Sequence, residues 1–103
     1  MNTLDAETGV IGSILIEPGS YRRVAETVTA ECFQSDICRM VFEAAAALDT
    51  AGEPIDPLTI KERLHGRVAD ETLAQIMRAT PTAANDTLYA ELVADHAKRR
   101  KLR

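Results

Sequence analysis

Tryptophan is absent from this 103-residue chain, and the only aromatic residues are Tyr21, Phe33, Phe42 and Tyr89. Any core must therefore be aliphatic and rich in alanine. No apolar run approaches the roughly 18–20 residues that a membrane span needs, and the N-terminus lacks the basic-then-apolar layout of a signal peptide. The expected location is the cytoplasm, with no membrane partner. Cysteine is scarce as well. Cys32 and Cys38 have five residues between them, which is neither a CxxC redox pair nor a zinc half-site. His65 and His96 stand at unrelated spacing, so no metal motif forms and two reduced, partly buried thiols are expected.

The chemical motifs of catalysis are missing too. No G-x-x-x-x-G-K-[ST] occurs, so the chain has no phosphate cradle of the P-loop type. The one short glycine pair, Gly9 and Gly12, lies in a helical stretch with no lysine behind it. Neither cysteine has a histidine at motif spacing, and the serines fall at helix caps or on the first helix, leaving no nucleophile constellation. Glu91 and Asp95 stand four apart, but Asp95 is equally spaced for an ion pair with Arg99 on a solvated face, worth about 0.3–0.5 kcal/mol. No catalytic residue, cofactor or metal is assigned to this chain.

What is present is helix punctuation. Abundant alanine, few β-branched runs and regular breakers predict an all-α fold, a compact bundle of about six short helices in a single domain over residues 1–103. A domain of this length buries roughly 60–65% of its unfolded surface. The first helix is predicted over Asp5–Ile16, with Val10, Ile11, Ile14 and Leu15 on one face. Gly9 and Gly12 each weaken it by about 1 kcal/mol relative to alanine, a cost that suggests close approach by another backbone, here taken as that of a second protomer. Pro18-Gly19 ends it, and Ser20 caps a second helix carrying Tyr21, Val24 and Val28. A single turn follows from Thr29, anchored by Phe33.

Ser35 opens the central helix, whose predicted stripe is Ile37, Met40, Val41, Ala44 and Leu48. The most informative stretch comes next, Gly52-Glu53-Pro54-Ile55-Asp56-Pro57-Leu58-Thr59-Ile60. Gly52 stops the helix in a left-handed conformation, Glu53-Pro54 forces an extended crossing, and Asp56 caps a new helix with Pro57 at its first position. Ile55 and Ile60 fall where a hydrophobic staple needs them. This fourth helix runs from Pro57 to Leu64 and closes at Gly66. A fifth, capped by Asp70, carries Leu73, Ile76 and Met77 up to Thr80-Pro81. Asn85 or Thr82 caps the sixth, with Tyr89, Leu92, Val93, His96 and Ala97 on its stripe. His96 reads there as a half-buried residue satisfied within the fold.

Charge is unevenly placed. Lys98, Arg99, Arg100, Lys101 and Arg103 close the chain, whereas the preceding 97 residues hold seven bases against sixteen acids, a net of −9. These five are the candidate phosphate contacts. They have no aromatic among them on which a base would stack, and the acidic body opposes docking, so DNA contact is expected to be weak or absent. The same run suits the start of a charged linker or hairpin helix.

Several segments, in order and at the right distances, carry a family resemblance. They are Ala6-Glu7 with Val10–Leu15, then Phe33, Arg39 and Phe42, then Gly52, Pro54-Ile55-Asp56, Thr59 and Leu64, and last Thr80–Asn85 with Tyr89-Ala90, Val93 and the R-R-K-L ending. Together the chain resembles the N-terminal domain of the bacterial replicative DNA helicase (DnaB) family over nearly its whole length. It departs where Gln34 and Cys38 replace a frequent aromatic and histidine, and where Gly66–Thr72 is short and lacks a Gly-Gly and aromatic. These changes mark a divergent branch and bear on the partner more than on the fold.

The resemblance implies a collar domain that packs with its copies within a helicase ring and docks primase or a helicase loader. It also implies a chain cut before a helical hairpin and an ATP-driven motor, to which ATP and magnesium would belong. The hairpin supplies much of the dimer contact and much of the primase-facing surface, so the core alone is expected to be monomeric or weakly associated. Gly9 and Gly12 are the candidate partner interface. The alternative is a stand-alone DNA-associated adaptor or regulator that uses the basic end.

Overall fold

A computed structural model describes residues 1–102, so Arg103 of the basic run lies outside the described residues. The order is α1 (Thr3–Ile16), α2 (Ser20–Val24), a 3-10 turn (Ala30–Cys32), α3 (Asp36–Thr50), α4 (Pro57–Leu64), α5 (Asp70–Arg78) and α6 (Asp86–Lys101). The predicted all-α bundle of six short helices is what forms, within 37 × 27 × 26 Å.

Helix α1 is the hub. It packs on α2, α3, α5 and α6, and Ala6, Glu7 and every residue from Gly9 to Leu15 are buried. A helix buried on nearly all sides needs small residues where neighbours crowd it. It starts two residues earlier than expected, because the Asn2 side chain accepts from the Asp5 N–H at 2.8 Å and caps it.

The junction after α3 follows its sequence closely. Gly52 sits at φ 73°, its N–H donates to Asp49 O at 3.1 Å, and Glu53 N–H donates to Leu48 O at 2.9 Å. That pair of bonds is a Schellman motif. Asp56 Oδ1 accepts from Thr59 N at 2.9 Å while Thr59 Oγ1 accepts from Asp56 N at 3.0 Å, a reciprocal capping box. Ile55 and Ile60 are both buried in the core.

Three expectations are corrected. The inward stripe of α3 is rotated by about one residue: Cys38, Val41, Phe42, Ala44, Ala45 and Leu48 face in, while Ile37 is 37% exposed. Phe42 sets that rotation, since its ring packs between Tyr21 at 5.4 Å and Phe33 at 5.2 Å. Ser20 is the first residue of α2 and not its cap, and its hydroxyl turns to Asp86 instead. Asp70 likewise lies inside α5, whose cap position is Ala69.

Candidate docking surface

Some faces of this domain are closed by internal contacts, and the α4–α5 corner carries an exposed apolar groove. Gly9 and Gly12 belong to a closed face. A β-carbon at Gly9 would lie 2.8 Å from Cγ of Tyr89 on α6. At Gly12 it would overlap Thr80 Oγ1 and come within 3.1 Å of the Ile76 carbonyl. Thr80 fills that notch because its hydroxyl donates both to Ile76 O at 3.1 Å and to Thr8 O at 3.4 Å, tying the end of α5 to α1. The glycines therefore admit helices of their own chain. Within this chain the positions a side chain would take at Gly9 and Gly12 are filled by Tyr89 and Thr80.

Two buried carboxylates hold other joints. Glu7, with no exposed surface, accepts from Gln34 N and Ser35 N at 2.9 Å each. It thereby fixes the entry of α3 against α1. Ser35 in turn caps α3 by accepting from Cys38 N at 3.2 Å. Asp86, only 3% exposed, takes Ser20 Oγ at 2.8 Å, Arg23 Nε at 3.0 Å and its own neighbour Thr87 N at 2.7 Å. Burial pushes its carboxyl up, but the Ser20 and Arg23 hydrogen bonds, the Thr87 N–H and the Arg23 charge outweigh that. They hold it below its ordinary 3.8. Arg23 also pairs with Glu17. Neither Asn85 nor Thr82 bonds the start of α6; Thr82 accepts from Ala84 N instead.

The Cys38 thiol is pushed up to about 11, by burial first and then by the nearby Glu7 charge, against a lowering bond from Ser35. It is protonated and unreactive at neutral pH. Among the described residues, no three His, Cys, Asp or Glu side chains come together to hold a metal ion. No described helix is long and apolar enough to cross a membrane.

The basic end is partly engaged. Arg99 Nε meets Asp95 Oδ2 at 3.1 Å, and Arg100 Nη2 donates to Cys32 O at 2.8 Å. Lys98 and Lys101 are exposed. His96 is half-buried, but the expectation that it is satisfied fails, because its buried Nδ1 has no hydrogen-bond partner.

The open face is the α4–α5 corner. Among the helices α4 packs chiefly on α3, and α5 chiefly on α1. Between them runs a groove of about 330 Å³ lined by Pro57, Leu58, Leu73, Ala74 and Met77, with Lys61 and Asp70 paired at 2.9 Å on its edge. Leu58 is 73% exposed there, and Leu73 forms the buried floor. Sequence reasoning missed it because Leu58 reads as one more apolar residue after a cap; its lack of any apolar partner at helical spacing on α4 other than the inward residues was the available signal.

The architecture defines the class: an all-helical module whose polar groups join its own helices and which keeps one apolar groove at its surface. Comparisons with known proteins make this specific. The model of the DnaB-like helicase N terminal domain matches residues 1–95. The chain is 31% identical over 107 residues to the replicative DNA helicase DnaB of Pasteurella multocida, covering 98% of this chain and 23% of that protein. The Haemophilus influenzae helicase is 32% identical, with coverage of 98% and 23%. The crystal structure of the N-terminal domain of DnaB helicase from Mycobacterium tuberculosis superposes with a TM-score of 0.89 at 30% identity, covering 96% of this chain and 76% of that one. The N-terminal domain from Helicobacter pylori, described with its interactions with primase, gives 0.83 at 24% identity, over 97% and 82%. The chain belongs to the DnaB-like helicase N-terminal domain family. It spans about a quarter of the length of the curated relatives it matches.

Proposed function

We propose that this chain serves as the assembly and docking domain of a replicative DNA helicase, and that the α4–α5 groove receives primase. The observation that carries the reading is family membership over residues 1–95, joined to an exposed apolar groove that nothing in the fold covers. The H. pylori relative, studied with primase, supplies the kind of occupant. Self-association within a helicase ring and contact with a helicase loader are further parts of the proposal. ATP and magnesium would act in a motor domain and not on these residues. A role at the replication fork goes with a cytoplasmic protein.

Chemistry favours the groove as a docking face. An apolar patch of this kind costs solvation when open, and covering Leu58, which is 73% exposed, removes most of a leucine side chain from water, worth about 1–2 kcal/mol. The Lys61–Asp70 pair at the rim gives orientation more than affinity. Isothermal titration of the domain with primase from the same replication system tests the reading. Saturable binding that Leu58→Glu weakens at least tenfold supports it. Binding that ignores Leu58→Glu removes the groove from the proposal, and no binding removes the docking role.

A further inference from the structure

The last turns of α6 meet the start of α1 and the extended segment before α3. Thr3, Gln34, His96, Arg99 and Arg100 line a pocket of about 270 Å³ there. Among the described residues, His96 Nδ1 is the one buried side-chain nitrogen or oxygen with no hydrogen-bond partner. That nitrogen is closed off from solvent, so it is the Nε2 edge of the ring that meets a ligand in the pocket. The other groups around it are donors. Arg100 is held by the Cys32 carbonyl through Nη2 alone, which fixes the guanidinium and leaves the rest of its fork unspent among the described residues. Arg99 is engaged at Nε only, and its side chain is 73% exposed. Gln34 and Thr3 add a carboxamide and a hydroxyl.

The nearby acids do not close this site. Glu7 is saturated by the N–H groups of Gln34 and Ser35, and Asp95 is spent on Arg99 Nε. Lys98 and Lys101, both exposed, raise the positive potential of the same helix end. Two guanidinium forks from adjacent residues, an imidazole and a hydroxyl call for an anion with several acceptor oxygens in a tetrahedral arrangement, as a phosphate group has. No aromatic lines the pocket, so nothing there would read or stack a base.

We infer that this pocket binds one phosphate group, with Arg99, Arg100 and His96 as its recognition residues. The group comes either from a small phosphate in solution or from a nucleic-acid backbone, and the chemistry at the pocket is the same. This site is separate from the α4–α5 groove and stands or falls independently of primase docking.

The test is a titration of the domain with inorganic phosphate at fixed pH and ionic strength, chloride making up the balance. It follows the imidazole resonances of His96, with exposed His65 as the internal reference. The inference expects a saturable shift of His96 alone, weakened about tenfold by Arg99→Gln. That substitution should leave the melting temperature unchanged, since Arg99 makes only its surface contact with Asp95. Adding a short oligothymidylate then separates the sources: displacement of phosphate at lower concentration assigns a nucleic-acid backbone, and no displacement assigns a small phosphate. Shifts that never saturate, that His65 shares, or that Arg99→Gln leaves unchanged overturn the inference.

Discussion

Around α1 nearly every side beyond its first turn is covered, by α2, α3, α5 and α6, and the crowding is sharp enough that Gly9 and Gly12 have neighbours where side chains would be. Around α4 and α5 the covering stops. Each of these helices leans on one main neighbour, and between them Leu58 stands in solvent beside a floor of Leu73. The two regions differ in helix length, fourteen residues in α1 against eight and nine in α4 and α5. They differ also in where polar groups go. The α1 region spends Glu7, Ser20, Asp86 and Thr80 on bonds that join separate helices. The α4 region spends Asp56 and Thr59 on capping its own helix. One region is built to hold, the other to be available.

Substitutions can break that contrast, and the largest effect is expected at Gly12. Gly12→Leu forces a side chain into Thr80 and toward a backbone carbonyl that has little room to shift, so a loss of about 4 kcal/mol or more is expected, seen as failure to fold or a collapse of the melting temperature. A stable Gly12→Leu domain with reduced self-association would instead restore the glycine face as an interface. Glu7→Ala comes next. It strips two N–H groups at the entry of α3 of their acceptor, at a cost of about 2–4 kcal/mol in urea unfolding.

Asp86 gives a smaller, pH-dependent effect. Its carboxyl is held below 3.8 in the folded state, so its contribution is present above about pH 4 and fades as pH falls through the folded value. Stability measured from pH 6 down to pH 2 should therefore drop more steeply for the native chain than for Asp86→Asn. At pH 7 that variant loses about 1–2 kcal/mol, because Arg23 is half-exposed and solvent screens its part. Parallel pH curves for the two proteins would contradict the role given to the Ser20–Arg23–Asp86 joint. The smallest effect on stability belongs to the open region. Leu58→Glu should change unfolding by less than about 0.5 kcal/mol, since the residue is exposed and an acid in the first turn of α4 suits the helix dipole.

Local signals explain how much of this was readable in the chain. The stop, crossing and restart at Gly52–Ile60 are encoded by residues within bonding distance along the sequence, so the left-handed stop at Gly52 and the Asp56 cap were legible down to the residue, while the return bond of Thr59 that completes the capping box was not read. The helix order and the family followed from such punctuation. The rotation of α3 was not legible, because Ile37 and Cys38 are both apolar and only the packing of Phe42 on Tyr21 and Phe33 decides between them. The same holds for Asp86, whose partners Ser20 and Arg23 lie more than sixty residues away. Glu7 did leave a trace, as an acid three and four residues before Val10 and Ile11 and so on the same face of the first helix. The glycines were rightly read as a place of close approach, and within this chain Tyr89 and Thr80 make it. A sequence shows that a helix must come near, not whose helix it is.

The central claim is that the α1 region closes the fold while the α4–α5 corner meets a partner. The most direct measurement is amide chemical-shift mapping of the labelled domain as primase from its own replication system is added. The account predicts perturbations gathered on Leu58, Lys61, Ala74 and Met77, with the amides of Gly9 to Leu15 unmoved. Perturbations centred on α1, or spread evenly over the bundle with the α4–α5 groove untouched, would contradict it.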